Sequence, residues 1–323
     1  MATTNPITFD NVAASGGLVD KLRLSAMISQ EINLLLKDNS NLRNTPFLSY
    51  QGSINGLGSD SVRVRLAGLD GFDSMAAATS EISDESANTT ALTINNADLA
   101  AARQYIIYEM DDLAAMTGLQ GSPDIDPFRI AQSIAGSYES RFAVLTGEAA
   151  ASFSTSKGSN ASALSVDTFF DAIFALEQAA SGVGSPGPYA CVLAAKALTE
   201  LQDSLRNETG NAVSRMQSSQ DMLMAKGDNF AGNLFGVDVY RSKHVKENGS
   251  SGYDNYMISP LALGFVDGIP SNIPGSADLM SMGKVVVEFD RRPMSAKTYI
   301  VGHAYLGIGI IQDDRGVKIL SAR

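Results

Sequence analysis

One cysteine and two histidines are all that the 323 residues carry. A lone Cys191 excludes an intramolecular disulfide and a thiolate zinc cluster. It sits in the apolar run Tyr189-Ala190-Cys191-Val192-Leu193, which reads as a buried strand with the thiol as a small hydrophobe. His244 falls in the basic run Arg241 to Lys246 and His303 in an apolar strand, and both read as structural. No His-Glu-x-x-His, Gly-x-Ser-x-Gly or Walker loop occurs, and the one Gly-x-Gly-x-x-Gly, Gly182 to Gly187, lies in the turn that leads into the Tyr189 strand rather than between a strand and a helix. Gly307-Ile308-Gly309 is a fragment that strand packing explains. Asp111–Asp112 and Asp313–Asp314 are sequence neighbours, and neighbours in a strand point to opposite faces, which is poor geometry for acid–base work. We read the first pair as the start of a short helix and Asp313 to Gly316 as a turn. No apolar run approaches the ~18 residues of a spanning helix. Met1 to Asn5 has neither a basic nor an apolar leader region, so no signal peptide is expected. The expectation is a folded protein that is not an enzyme and carries no cofactor and no metal.

Lysine is missing altogether between Lys37 and Lys157. Within that gap, from Gly58 to Asp126, twelve acids face only Arg63, Arg65 and Arg103, a local net charge of −9. The whole chain carries −11, with an isoelectric point near 4.7, and such a surface repels nucleic acid. Lys284 to Arg323 runs the other way, at +3, so one end of the molecule can attract the other end of a neighbour. An ordinary solvated acidic face explains the same charges.

What is present is an order of unlike blocks. Residues 1 to 17 read as an arm, and a helix follows from Leu18 to Lys37, with Leu22, Met27, Ile28, Ile32, Leu35 and Leu36 at helical spacing. Ser61-Val62-Arg63-Val64-Arg65-Leu66 alternates like a half-exposed strand. Leu92 to Ile94 and Arg103 to Glu109 read as two more, and together they suggest a long projecting hairpin with a small, acidic tip at Ala76 to Asn88. A two-stranded ribbon is marginal in water and needs a neighbouring surface. Asp126-Pro127 is a helix start, and Ala131, Ile134, Ala135, Tyr138, Phe142, Leu145 and Ala149 form one apolar stripe along about six turns. Gly147 weakens its last turns.

Ser154 to Ser162 reads as a linker, and an α/β pattern follows. It has a helix from Asp167 to Ala180 with Phe169, Phe170, Ile173 and Phe174 on one face, the Tyr189 strand and a helix from Ala194 to Leu205. A polar loop from Arg206 to Gln220 and a strand from Leu234 to Tyr240 come next. The end is strand-rich: Val285 to Phe289, a break at Arg291-Arg292-Pro293, Tyr299 to Ile311 and Val317 to Leu320.

This order resembles the major capsid protein of tailed bacteriophages, the Hong Kong 97-type fold. Ser61–Leu66 and Leu92–Glu109 resemble its extended loop, Asp126 to Ala151 its spine helix, and Val285 to Ile311 its return hairpin. Tyr189–Leu193, Ala197–Leu201 and Gly232–Ser242 resemble its axial core. The resemblance implies an α+β fold in four parts. Residues 1–50 form the arm and first helix and 51–110 the extended loop. Residues 111–160 and 284–310 form the peripheral domain, and 161–283 and 311–323 the axial α/β domain.

It further implies hexamers and pentamers tiling an icosahedral virion shell, with loops lying across neighbouring copies. The shell would enclose double-stranded DNA without gripping it and would be built in the bacterial host cytoplasm. Separate scaffolding, portal and possible decoration proteins are the expected partners, with no membrane. Arg63, Arg65, Asp84, Glu85, Glu139, Arg141, Arg291 and Arg292 are the candidate intersubunit contacts. Some family members join an extended-loop lysine to a neighbour's asparagine; the lysine gap predicts no such crosslink here. Some members also carry a large N-terminal scaffolding domain that is later cut off; with none before this arm, the expectation is that such a domain was already removed or that scaffolding is a separate protein. An encapsulin-type nanocompartment shell is the nearest alternative, although no encapsulin-like cargo-docking helix is seen. A soluble α/β ligand-binding protein or enzyme is the other.

Overall fold

The computed structural model describes residues 31–32, 48–55, 59–68, 93–111, 127–178, 187–207, 229–249, 252–268 and 285–323. The helix expected from Leu18 to Lys37 meets these only at Glu31 and Ile32, which are helical. The acidic tip at Ala76 to Asn88 and the polar loop beyond Asn207 lie outside the described residues.

Three sheets organise the described residues. The first has five strands: β1 (Leu48–Ser53), β4 (Ala102–Asp111), β11 (Leu263–Gly268), β12 (Val285–Arg292) and β13 (Lys297–Ile310). β13 is its centre, taking β4 on one side and β12 and then β11 on the other. The second is a two-stranded hairpin of β2 (Ser61–Gly68) and β3 (Thr93–Ala100). The third has seven strands: β5 (Ser156–Gly158), β6 (Tyr189–Leu193), β7 (Phe230–Leu234), β8 (Val237–Arg241), β9 (Lys246–Asn248), β10 (Gly252–Ile258) and β14 (Gly316–Ala322).

Helix α1 (Pro127–Ala150) links the two large sheets. Its apolar stripe falls where helical spacing puts it, but on two different cores. Ile130, Ala131, Ile134, Ala135 and Tyr138 are buried with Val285, Val287 and Ile300 of the five-stranded sheet. Phe142, Ala143 and Ala150 enter the larger core with residues of the seven-stranded sheet. Gly147 has a reason beyond weak helix propensity: a Cβ there would lie 2.9 Å from the His244 carbonyl, because residues 244–246 cross close over the last turns.

Four sequence expectations change. Ser154 to Ser162 is not a free linker, because it contains β5, which pairs in parallel with β14. Turn-forming composition does not prevent three residues from completing an open sheet edge. Helix α2 (Val166–Glu177) buries Val166, Phe169, Ala172 and Leu176, which leaves Phe170 and Phe174 exposed on the neighbouring stripe. Leu234 to Tyr240 is not one strand: it holds the end of β7, a two-residue turn and most of β8. Phe235 (φ 52) and Gly236 (φ 81) reverse the chain between β7 and β8, as two left-handed residues do in a tight hairpin. Asp111, expected to open a short helix with Asp112, is instead the last residue of β4, and Asp112 lies outside the described residues.

Cys191 is fully buried in β6 and its thiol is pushed up by burial, as a small hydrophobe in a core should be. Helix α3 (Ala195–Asn207) buries Leu198, Leu201 and Leu205 as its spacing predicts. Its start is held by the buried Asn255, which accepts from Ala194 N at 2.7 Å and donates to Ser321 Oγ at 2.9 Å and to the Ile319 carbonyl.

Candidate assembly surface

The β2–β3 hairpin is rooted by alternation. Val62 and Val64 point to one side with Leu99 and pack on Val266 and Ile311, while Arg63 and Arg65 point to solvent. Where the hairpin returns to the body, the Ala100 carbonyl passes directly over Gly307 of β13, leaving no room for a Cβ. Leu99 covers Gly309 in the same way. The Gly-x-Gly fragment is therefore the seat of the hairpin.

The third strand assigned to this projection belongs elsewhere. β4 pairs with β13 from Ala102 to Asp111 and is part of the five-stranded sheet. Its Tyr105-Ile106-Ile107-Tyr108 run is apolar on both faces, and Ile106 packs beneath α1 while Tyr105 and Ile107 face outward. A ribbon exposed on both sides does not offer Ile106 that burial.

The candidate contacts are placed as follows. Arg63 Nε and Nη2 donate to Asp98 Oδ1 and Oδ2 at 2.7 and 2.9 Å, directly across the hairpin. That hydrogen bonding raises the guanidinium and lowers the carboxyl, and both groups are exposed. Arg65 is exposed opposite Asn96. On α1, Glu139 is half-buried and Arg141 donates to Gln104 Oε1 at 2.8 Å. Arg292 holds Asp290 at 3.2 Å and lies 5.2 Å over the Tyr299 ring. Arg291 is in β12 opposite Thr298, and only its backbone is described. Asp84 and Glu85 lie outside the described residues. The six described residues thus divide among the hairpin, α1 and the β12 end of the five-stranded sheet.

Sequence reasoning missed a charged row on the outer face of that sheet. Arg103 Nη2 lies 3.1 Å from His303 Nδ1, and His303 Nε2 lies 2.9 Å from Glu288 Oε2. Arginine only donates, so Nδ1 accepts and the neutral ring carries its proton on Nε2, toward the carboxylate. Further along, Lys297 holds Glu109. Groups 200 residues apart in sequence meet here, and only β4–β13 pairing brings them together. His244, by contrast, is a half-buried turn residue whose pKa is lowered by burial and by Lys243. Among the described residues no three His, Cys, Asp or Glu side chains could hold a metal ion, and no helix is long and apolar enough to cross a membrane.

A second exposed feature is aromatic. Phe235, at the hairpin tip, stacks on Phe170 with ring centroids 4.5 Å apart, and Phe174 lies one turn along α2. Met294 stands fully exposed in the turn between β12 and β13.

No family model and no curated protein matches the chain. Solved structures do. The capsid of cyanophage P-SCSP1u superposes with a TM-score of 0.53 at 13% identity, over 87% of this chain and 88% of its own. The head structure of Helicobacter pylori bacteriophage KHP40 gives 0.55 at 12% identity, over 84% and 85%. The holo-SrpI encapsulin complex of Synechococcus elongatus gives 0.55 at 11% identity, over 87% and 86%. The chain therefore has the fold of phage capsid shell proteins, which it shares with an encapsulin.

Proposed function

We propose that the chain is the major capsid protein of a tailed phage. Copies assemble into hexamers and pentamers that close an icosahedral head around double-stranded DNA. The observation that carries this reading is the match to capsid structures over more than four-fifths of both chains. In this reading residues 1–50 are the arm and first helix. The extended loop occupies 51–110, with β2 and β3 as its projecting part. Residues 111–160 and 284–310 are the peripheral domain with α1 as spine, and 161–283 and 311–323 the axial domain.

The role is structural rather than catalytic. The acidic loop of one copy lies toward the basic β12–β13 end of the next, as the charges of −9 and +3 favour. Arg65, Arg291, Arg292 and the acids Asp84 and Glu85 are the proposed contributors, on their charge and their place in the sequence. A net charge of −11 suits a wall that encloses DNA without binding it. Scaffolding and portal proteins are separate partners, and assembly takes place in the host cytoplasm.

The test is expression of the chain alone and with a candidate scaffolding protein, followed by negative-stain electron microscopy. Closed shells, or rings of five and six, are expected; persistent monomers under both conditions would overturn the reading. An encapsulin-type compartment is the second reading, favoured by the equal superposition on the Synechococcus shell. Particles holding enzyme instead of nucleic acid would establish it.

A further inference from the structure

β4 has β13 on one side and, among the described residues, no strand on the other. Ten residues of open edge form a template for another chain. Edges of this kind are usually blunted by proline, a bulge or shortness. β4 contains no proline or glycine and runs against β13 in unbroken register from Ala102 to Asp111. Beside the exposed Arg103 and Glu109 it shows three large hydrophobic side chains: Tyr105 is 65% exposed, Ile107 52% and Tyr108 44%.

The order of its side chains identifies the occupant. In an antiparallel pair, residues directly opposite share a face. When a strand meets a copy of itself about a twofold axis, opposite positions add to a constant, which is even if the two sheets are to continue with matching faces. Centred on Ile106, the pairing sets Arg103 against Glu109 of the second copy and Glu109 against its Arg103. Tyr105 then meets Ile107, Ile107 meets Tyr105, and Ile106 meets its counterpart. Both opposite-charge and aromatic–β-branched pairs are favourable cross-strand neighbours. Centring on Tyr105 instead puts Arg103 against Ile107, and centring on Ile107 puts Tyr105 against Glu109, so only one register matches charge with charge and apolar with apolar.

We propose that β4 pairs antiparallel with β4 of a second copy across a twofold axis, Arg103 opposite Glu109 and Tyr105 opposite Ile107. The contact is isologous and closes on two copies. It joins the two five-stranded sheets into one of ten. The rows already formed within each copy, Lys297 with Glu109 and Arg103 with His303 and Glu288, become one alternating row across the axis. A single strand pair buries little surface, which suits a contact between capsomers that must form and reform during closure. The inference rests on the reading of the chain as one that assembles with its own copies.

Two full-length single-cysteine additions, Tyr105→Cys and Ile107→Cys, test it. Cys191 is buried, so the new thiol is the accessible one. Under mild oxidation at assembling concentration, a mixture of the two variants is expected to give a 105–107 disulfide, mapped by peptide mass spectrometry, at several times the yield of either variant alone. Like positions are offset in the proposed register and lie too far apart to bridge well. In a second arm, Arg103→Glu and Glu109→Arg each weaken association at least tenfold, read by analytical ultracentrifugation. Mixing the two restores it, because each variant then meets its complement while intrachain losses are unchanged. Shells or rings that form without the 105–107 bond and without rescue on mixing would overturn the twofold pair and leave the shell reading standing. Chains that never associate would overturn both.

Discussion

The carbonyl of Ala100 and the α-carbon of Gly307 are stacked so closely that residue 307 has no space for a side chain. This contact is where the hairpin leaves the body, so Gly307→Ala must push either β3 or β13 out of place. The expected cost is that of overpacking a core, about 1–3 kcal/mol, read as a lowered thermal midpoint of the unassembled subunit. An unchanged midpoint would mean that the hairpin shifts freely on its seat.

Gly136 gives the opposite outcome. It lies in α1 with nothing within 4 Å of where its Cβ would be. Gly136→Ala is expected to stabilise the subunit by about 0.5–1 kcal/mol, through helix propensity and a less free unfolded chain. Gly147→Ala, three turns on and under the His244 carbonyl, should lower stability instead, and comparison of the two by chemical denaturation separates propensity from packing.

Alkaline stability should fall on a specific side of neutrality. Burial, with a smaller contribution from Asp238, pushes the Tyr240 phenol up to about 12. An unfolded tyrosine titrates near 10. The folded value is the higher one, so the neutral phenol's contribution is fully present below pH 10 and is lost as pH rises from about 10 to about 12. Tyr256 shifts in the same direction, chiefly by burial. Thermal midpoints measured from pH 8 to 12 should hold level and then drop, and Tyr240→Phe should flatten the drop. An equally steep fall in the Phe variant would assign the loss to other groups.

The lysine gap makes a prediction about assembled particles. No lysine lies between Lys37 and Lys157, so the hairpin has no amine to donate to an isopeptide bond. Shells boiled in detergent should run as monomers on a denaturing gel. Ladders or rings of linked chains would show that another lysine serves.

Much of this architecture is legible in the sequence because it is written in local periodicity. The period-two alternation of Ser61 to Leu66, the period-3.6 stripe of α1 and the apolar run at Cys191 each fix an element and its buried side without reference to the rest of the chain. What was misread depends on distant partners. β5 is a strand only because β14 offers it an edge, and β4 joins the body only because β13 lies beside it. Phe170 and Phe174 seem to extend the face of α2 until Leu176 and Ala172 are seen to occupy it. The Arg103–His303–Glu288 row has no local signature, since its members come from three strands. Arg63 stands out in the sequence by its charge, and its partner Asp98 stands opposite through the hairpin register, which a separation of 35 positions conceals.

Helix α1 has a thermodynamic consequence. Its first half is buried against the five-stranded sheet and its second half in a core to which both large sheets contribute, the seven-stranded one most. Were either sheet to melt by itself, the half released would be a peptide of about a dozen residues, too short to stay helical in water. Unravelling from that end would then strip apolar cover from the surviving core. The two large sheets are thus one cooperative unit, and heat or denaturant should take them apart in a single transition.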